Sequence, residues 1–259
     1  MKINFYKYQG TGNDFVMIDN RSMGLVLSQT QIAKLCDRKM GIGADGLMLL
    51  EKGSDTDFKM VYYNADGKGS SMCGNGGRCI SHFAQYLDIV ESAGTFEAID
   101  GLHEFTINDK GIVKLKMNDV CQISNDGDAL VMDTGSPHYV KHIDDIDKLD
   151  VVDLARAVRY NDTYRDNGIN VNFVESVEDD IFMRTYERGV EDETLSCGTG
   201  TVAVALSVVN KGIKSESPII INTPGGQLNV HFKKIDEGFS DIWLEGPAEM
   251  VYSGTIEIS

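Results

Sequence analysis

Apolar and polar positions along the chain alternate mostly at strand spacing, in short stretches broken by Gly, Asn and Asp. Two segments break that rhythm. Ile80, Phe83, Ala84 and Leu87 recur at i, i+3, i+4 and i+7, which predicts a helix with one apolar face. Val202 to Val209 is apolar nearly all round, which predicts a helix buried on every side. A third amphipathic helix is expected over Val151–Tyr160. The surroundings of the first two helices match. FKMVYYNADGKGSSMCGNGGRCISHFAQYL, from Phe58, and IFMRTYERGVEDETLSCGTGTVAVALSVVN, from Ile181, each run from a strand-like stretch through a polar loop to Cys-Gly-X-Gly and then a helix. Met60 and Tyr63 correspond to Met183 and Tyr186. Downstream, TFEAIDGLHEFTI and IINTPGGQLNVHF both predict a strand, a Gly turn and a second strand. IVKLKM and DIWLEG then predict one strand more. One shared motif is an easy coincidence, but the same order of elements twice is an internal repeat.

The fold class implied is α+β: two pseudo-symmetric β-rich halves, each wrapped around a helix that begins just after a cysteine. The expected halves are residues 1–117, joined by a C-terminal strand at 250–259, and residues 118–249.

Composition narrows the function. The chain has 259 residues with a formal net charge of −16 and no basic stripe, so binding to a nucleic-acid backbone is not expected. Its longest apolar run, Val202–Leu206, falls far short of the ~20 residues of a membrane-spanning helix, and no apolar leader is visible in MKINFYKYQG. A cytoplasmic protein with free thiols is the expectation, because five cysteines cannot all pair and are sparse for a disulfide scaffold. No CxxC is present, and Cys73, Cys79 and His82 lack the spacing of a zinc site, so no metal is expected. Cys36, Cys79 and Cys121 are expected to be buried, structural thiols.

Cys73 and Cys197 are different, because both stand at a helix start. The first N–H groups of a helix lack internal partners, carry partial positive charge and bind anions. A thiol placed there has its thiolate stabilised, and the same N–H groups suit a carboxylate. Two such thiols facing each other across a cleft would form an acid and a base on opposite sides of one bound atom, the arrangement that inverts a carbon centre. Glu187-Arg188 follow a strand at the place equivalent to Asn64 in the first half; Arg offers a planar fork for a carboxylate and Glu a partner for an ammonium. GTGNDF (10–15) reads as a polar turn after a strand. GIGADG (41–46) has the look of a dinucleotide loop, but it feeds Leu47-Met48-Leu49-Leu50, a strand and not a helix, so no nicotinamide cofactor is expected.

MCGNGGRC (72–79), ERG with ETLSCGTGT (187–201), GTGNDF and GIGADG together resemble the diaminopimelate epimerase family, over about Gly10 to Pro247. The resemblance implies two halves, each a β-barrel-like sheet around a central helix, with the site in the cleft between them. It implies cofactor-independent interconversion of LL- and meso-diaminopimelate for lysine and cell-wall synthesis, in a cytoplasmic homodimer. Carried over residue by residue, it makes Cys73 and Cys197 the catalytic thiols. Asn13, Asn64 and Asn170 become substrate contacts. Gly74-Asn75 and Gly198-Thr199 hold the reacting carboxylate, and Glu187 and Arg188 take substrate amino and carboxylate groups. His138, with Glu187, would tune the thiol pKa values. The chain departs from the family in three places: Ser136 stands where many members have Asn, Gly46 where some have Gln, and the 187–197 loop is one residue longer. Proline racemases share two-cysteine chemistry, but they carry MCGH where this chain has Asn75 and lack Glu-Arg-Gly. A redox pair of Cys73 and Cys197, and a binding protein that has lost its chemistry, are further readings.

Overall fold

A computed structural model describes residues 1–70 and 72–258. Ser71, in the loop before the first Cys-Gly, and Ser259, the last residue of the expected C-terminal strand, lie outside the described residues. The chain divides into two compact units: Met1–Leu115 with the segment from Gly246 onward, and Lys116–Glu245.

In the first unit the elements run β1 (Lys2–Gly10), β2 (Asn13–Asp19), α1 (Gln29–Cys36), β3 (Gly46–Glu51), β4 (Phe58–Asn64), α2 (Gly74–Tyr86), β5 (Ala93–Ala98), β6 (Gly101–Ile107) and β7 (Val113–Lys116). In the second they run β8 (Ile123–Asp126), β9 (Ala129–Asp133), β10 (Pro137–His142), α3 (Val151–Arg159), β11 (Asn170–Val177), β12 (Asp180–Glu187), β13 (Asp192–Thr194), α4 (Gly198–Asn210), β14 (Ile219–Thr223), β15 (Gly226–Ile235) and β16 (Gly238–Gly246). A last strand, β17 (Glu249–Glu257), pairs antiparallel with β1 in the first unit.

The repeat is deeper than the sequence pattern discloses. In the first unit β1–β2 is antiparallel, β2–β3 parallel, β3–β4 antiparallel and β4–β5 parallel. In the second, β9–β10, β10–β11, β11–β12 and β12–β14 repeat that series of senses. Parallel neighbours cannot be joined by a hairpin and need a crossover. Among the described residues the four α-helices are these crossovers: α1 and α2 in the first unit, α3 and α4 in the second. The fold is α+β, with two similar halves and few helices.

α2 packs on β1, β2, β3, β6 and β17, and α4 on β9, β10, β11, β12, β14 and β15, so each sheet curls around its helix. Val202–Leu206, Val208 and Val209 are all buried, as an all-round apolar helix requires. α3 forms where expected, its first turn capped by the Asp150 carboxylate accepting from the Asp153 N–H. α1 was not predicted. A capping box made by Ser28 and Gln31 starts it, and Ile32, Leu35 and Cys36 bury one face. One expectation fails: Cys121 is exposed, while Cys36 and Cys79 are buried. Val120 turns inward and bridges Phe239, so the next residue on an extended chain points outward.

Candidate active site

Both Cys-Gly-X-Gly motifs start helices in the same way. Cys73 is the N-cap of α2, with φ −106° and ψ 133°. Cys197 is the N-cap of α4, with φ −126° and ψ 117°. The second glycine of each motif lies close against the strands beneath it. A Cβ on Gly76 would push the Met48 Cε methyl aside, and one on Gly200 would lie 2.6 Å from Asn172 Oδ1, which is held by the Thr185 hydroxyl. Glycine lets each helix start lie close to its strands.

The first site is set by Asn13. The turn Thr11-Gly12, with φ of 50° and 86°, delivers Asn13 to the start of β2. Its Nδ2 donates to Asp45 Oδ2 at 2.8 Å, which leaves Oδ1 facing the helix start. There Oδ1 accepts from Cys73 Sγ at 3.6 Å and from Asn75 Nδ2 at 3.5 Å. The orientation is held from behind by ions. Arg38 forks onto Asp14 at 2.8 and 2.9 Å and also donates to Asp45 at 2.8 Å. Buried Lys7 meets Asp14 at 2.6 Å. Burial pushes the Asp14 carboxyl up, but the hydrogen bonds from Arg38 and Lys7 outweigh it and bring it down to about 2. GTGNDF and GIGADG are thus one device: Asp14 of the first and Asp45 of the second clamp a shared arginine beneath Asn13. Read as a bare turn and a loop, the two motifs concealed this.

Asn64 ends β4 opposite Gly46 and is exposed. Gly46 leaves no room for a longer residue, because a Cβ would lie 2.6 Å from Tyr62 Cε2 and 2.7 Å from the Tyr63 carbonyl.

The second site contains a directed chain of hydrogen bonds. Thr185 Oγ1 donates to Asn172 Oδ1 at 2.9 Å. Asn172 Nδ2 therefore supplies the donors, to the Tyr139 carbonyl at 3.1 Å and to His138 Nδ1 at 3.1 Å. His138 is fully buried, and burial, with a smaller push from Arg188, brings its pKa down to about 3, so the ring is neutral. With Nδ1 accepting, the ring proton is on Nε2, which donates to Thr199 Oγ1 at 2.9 Å. The Thr199 hydroxyl is then free to donate to Cys197 Sγ, 3.5 Å away. The Gly200 N–H donates to the same sulfur at 3.4 Å. His138 thus reaches the thiol through Thr199, as a neutral ring and not as a charge. Thr185 and Asn172 escaped the sequence reading; the signal was an Asn two residues after Asn170 on a strand, where both side chains face the same way.

Asn170 is held tightly. Its Nδ2 donates to Ser136 Oγ at 2.8 Å and to the Pro137 carbonyl at 3.1 Å, and its Oδ1 accepts from the Arg188 N–H at 2.9 Å. Ser136 thus orients Asn170. Glu187 ends β12 and accepts from Thr194 Oγ1 at 2.6 Å. The exposed Arg188 side chain lies over Gly168, whose missing Cβ makes room for it, and donates to the Asn167 carbonyl at 2.9 Å. The longer loop is pinned by Glu191, which accepts from Arg159, Tyr160 and Tyr186 at 2.9–3.1 Å.

Each unit therefore offers a thiol on a helix N-terminus, suited to proton transfer beside a bound carboxylate. Comparison with known proteins decides the family. The family model described as diaminopimelate epimerase matches residues 5–122 and 130–251. The chain belongs to the diaminopimelate epimerase family. It is 50% identical to the diaminopimelate epimerase of Flavobacterium psychrophilum, covering 98% of this chain and all of that one. With the enzyme of that name from Chlorobaculum tepidum it shares 42% over 96% and 99% of the two chains. Solved structures confirm the fold alone. A PhzF family phenazine biosynthesis protein from Bacillus anthracis superposes over the full length of both chains with a TM-score of 0.77 at 16% identity. A hydroxyproline epimerase from Agrobacterium vitis, with trans-4-hydroxy-L-proline bound, covers 98% of this chain and 92% of its own with a TM-score of 0.68 at 12% identity. Members of the diaminopimelate epimerase family are isomerases, and no helix of the described residues is long and apolar enough to cross a membrane.

Proposed function

We propose that this chain interconverts LL- and meso-diaminopimelate without a cofactor, with Cys73 and Cys197 as alternate base and acid on opposite faces of one α-carbon. The observation that carries the reading is the pair of cysteine N-caps, one per unit, each followed by Gly-X-Gly at the start of a helix. An amino-acid α-proton is very weakly acidic, so the developing carbanion needs its charge spread into the α-carboxylate. The N–H groups of Gly74-Asn75 and Gly198-Thr199 supply that stabilisation, as donors aimed where charge accumulates. One thiolate takes the proton, and the opposite thiol returns one from behind, so the thiols exchange roles with each turnover. Asn13, Asn64 and Asn170 position the substrate, while Glu187 and Arg188 take its amino and carboxylate groups. The same resemblance supports work in the cytoplasm as a homodimer.

The test is incubation of LL-diaminopimelate with the protein in deuterated water. Meso product carrying one deuterium at the inverted α-carbon is expected; absence of both inversion and exchange overturns the reading. Proline in the same assay tests the racemase alternative and is expected to stay unlabelled.

Thr199→Val removes the hydroxyl that links His138 to Cys197 Sγ. A hydrogen bond to a charged group is worth roughly 1.5–3 kcal/mol, but the Gly200 N–H keeps part of the stabilisation. A loss of about tenfold in kcat is expected, largely restored in Thr199→Ser, measured by circular dichroism of the isomers.

A further inference from the structure

Arg78 is the largest fully buried side chain of the protein, and it carries a charge. It opens the second turn of α2, five residues past Cys73. A guanidinium does not give up its proton in a protein, so a whole positive charge is held out of water. Its hydrogen-bond acceptors are all neutral: Thr11 Oγ1 and Asn75 Oδ1 at 3.1 Å, and the Gly74 and Pro247 carbonyls at 3.4 Å. Among the described residues it forms no ion pair with a carboxylate, although the chain holds 40 acidic residues. The place is built for it, since a Cβ on Gly10 would lie 3.3 Å from Nη2 and 3.1 Å from Cys79 Sγ.

Such an arrangement is costly unless a negative charge is nearby. Arg78 reaches the residues that follow Cys73: Nη1 donates to the carbonyl of Gly74, the next residue, and Nη2 to Asn75, whose amide meets the same Asn13 oxygen as the Cys73 thiol. The ionisable groups that act on it are the thiols of Cys79 and Cys73. Cys79 does not fill the part: burial pushes its thiol up to about 12, so it stays protonated. Cys73 is half-buried, and it stands where the N-terminus of α2 adds positive potential of its own.

We propose that Arg78 is a positioning residue of the first site: its buried guanidinium is the standing counter-charge of the Cys73 thiolate, and it also holds Asn75 by the side-chain oxygen. This rests on Cys73 being a working thiol, but it accounts for features the reaction itself leaves unexplained. Thr11 and Gly10 cradle the arginine from the turn before β2. Asn75, fixed through Oδ1, presents its Nδ2 to Asn13, the acceptor of the Cys73 thiol. The other titratable and charged groups around the helix start are accounted for. Asp100, after β5, accepts from the Met72 N–H and bonds His103. Asp14, Asp45 and Arg38 lie behind Asn13. His82 and Tyr8 share a bond of 3.4 Å further along α2; burial lowers the first and raises the second, so both are neutral. Lys7, the other buried cation of this unit among the described residues, is paired with Asp14.

The experiment is the pH dependence of Cys73 alkylation by iodoacetamide, followed by peptide mass spectrometry. It is run in the full-length protein, in Arg78→Gln and in Arg78→Lys. Exposed Cys121 is the reference thiol in the same chain. The Cys73 curve is expected to lie below that of Cys121. Arg78→Gln is expected to move it up by about one pH unit, a roughly tenfold slower labelling near neutrality, while Arg78→Lys keeps most of the shift and Cys121 is unmoved. A Cys73 curve that stays in place in folded Arg78→Gln overturns the proposal. Should Arg78→Gln fail to fold, Arg78→Met is labelled in the same way, and melting of the unaltered protein against Cys73→Ser from pH 6 to 9 tests the thiolate that the guanidinium requires. A thiol whose folded pKa is depressed adds stability above that pKa and loses it as pH falls. The gap in melting temperature must therefore widen with rising pH, and a constant gap overturns the proposal. Neither readout requires turnover. An absence of deuterium exchange with an Arg78-dependent Cys73 curve would remove the epimerase reading and leave this one; exchange with an unmoved curve would do the reverse.

Discussion

Cys73→Ala and Cys197→Ala each abolish epimerisation, with kcat falling roughly 10⁴-fold or more, at the upper end of what a positioned acid or base contributes. Inversion needs a proton taken from one face and returned to the other, so one remaining thiol cannot complete it. The same logic predicts what survives. A lone thiol can still remove the α-proton on its own side and return a deuteron from solvent without inversion. Each single variant should therefore label one stereoisomer, with the two variants labelling opposite ones. Nuclear magnetic resonance of the α-hydrogen in deuterated water checks this. Unimpaired turnover in either variant, or labelling of the same isomer by both, removes the two-base reading. The contacts of the two sulfurs also differ. Cys73 donates to Asn13 Oδ1, whereas Cys197 accepts from the Gly200 N–H.

The parts of this protein that were legible in its sequence are those carried by local pattern. The Cys-Gly-X-Gly pair, the all-apolar helix after Cys197 and the Gly-turn hairpins depend on neighbours a few residues apart, and they formed where periodicity placed them. The correspondence of α1 with α3 did not show. Both are crossovers between parallel strands, but α1 has only eight residues, and its capping box, Ser28 with Gln31, is a weak mark in a polar stretch. Contacts distant in the chain were hidden for a different reason. Arg38 holding Asp14 and Asp45 joins two segments, one read as a polar turn and the other as a glycine-rich loop feeding a strand. Nothing in the sequence sets Arg78 apart from the rest of MCGNGGRC, and only packing shows that it is sealed in against Thr11. Cys121 misled because burial is a tendency of the residue type, while its direction is set by the strand position of Val120.

Asn172→Asp should add a pH dependence through His138 that the unaltered protein does not have. In the native chain Asn172 Nδ2 donates to His138 Nδ1, so the ring is neutral, carries its proton on Nε2, and points the Thr199 hydroxyl toward Cys197. Its pKa near 3 means that His138 itself does not titrate between pH 5 and 9. A carboxylate at position 172 only accepts, so it demands a proton on Nδ1. At low pH the ring meets that demand by becoming an imidazolium that still donates to Thr199. As pH rises through the new, raised histidine pKa, the remaining proton stays on Nδ1 beside the carboxylate. Nε2 then turns acceptor and takes the Thr199 hydrogen away from Cys197. The thiolate loses a charge-assisted hydrogen bond and gains a buried negative charge close by, so kcat should fall by about a hundredfold over that transition, the larger part of it from a bond worth roughly 1.5–3 kcal/mol. Stability follows the same sign: a histidine raised in the folded state stabilises fully below its unfolded pKa of about 6.5, and the gain disappears as pH rises through the folded value. Melting temperature and kcat of Asn172→Asp, followed from pH 5 to 9 beside the unaltered protein, should fall together, and the ring proton should move from Nε2 to Nδ1 in the nitrogen NMR of labelled histidine. A flat profile with the proton already on Nδ1 would mean that Thr199 does not transmit the state of His138 to Cys197.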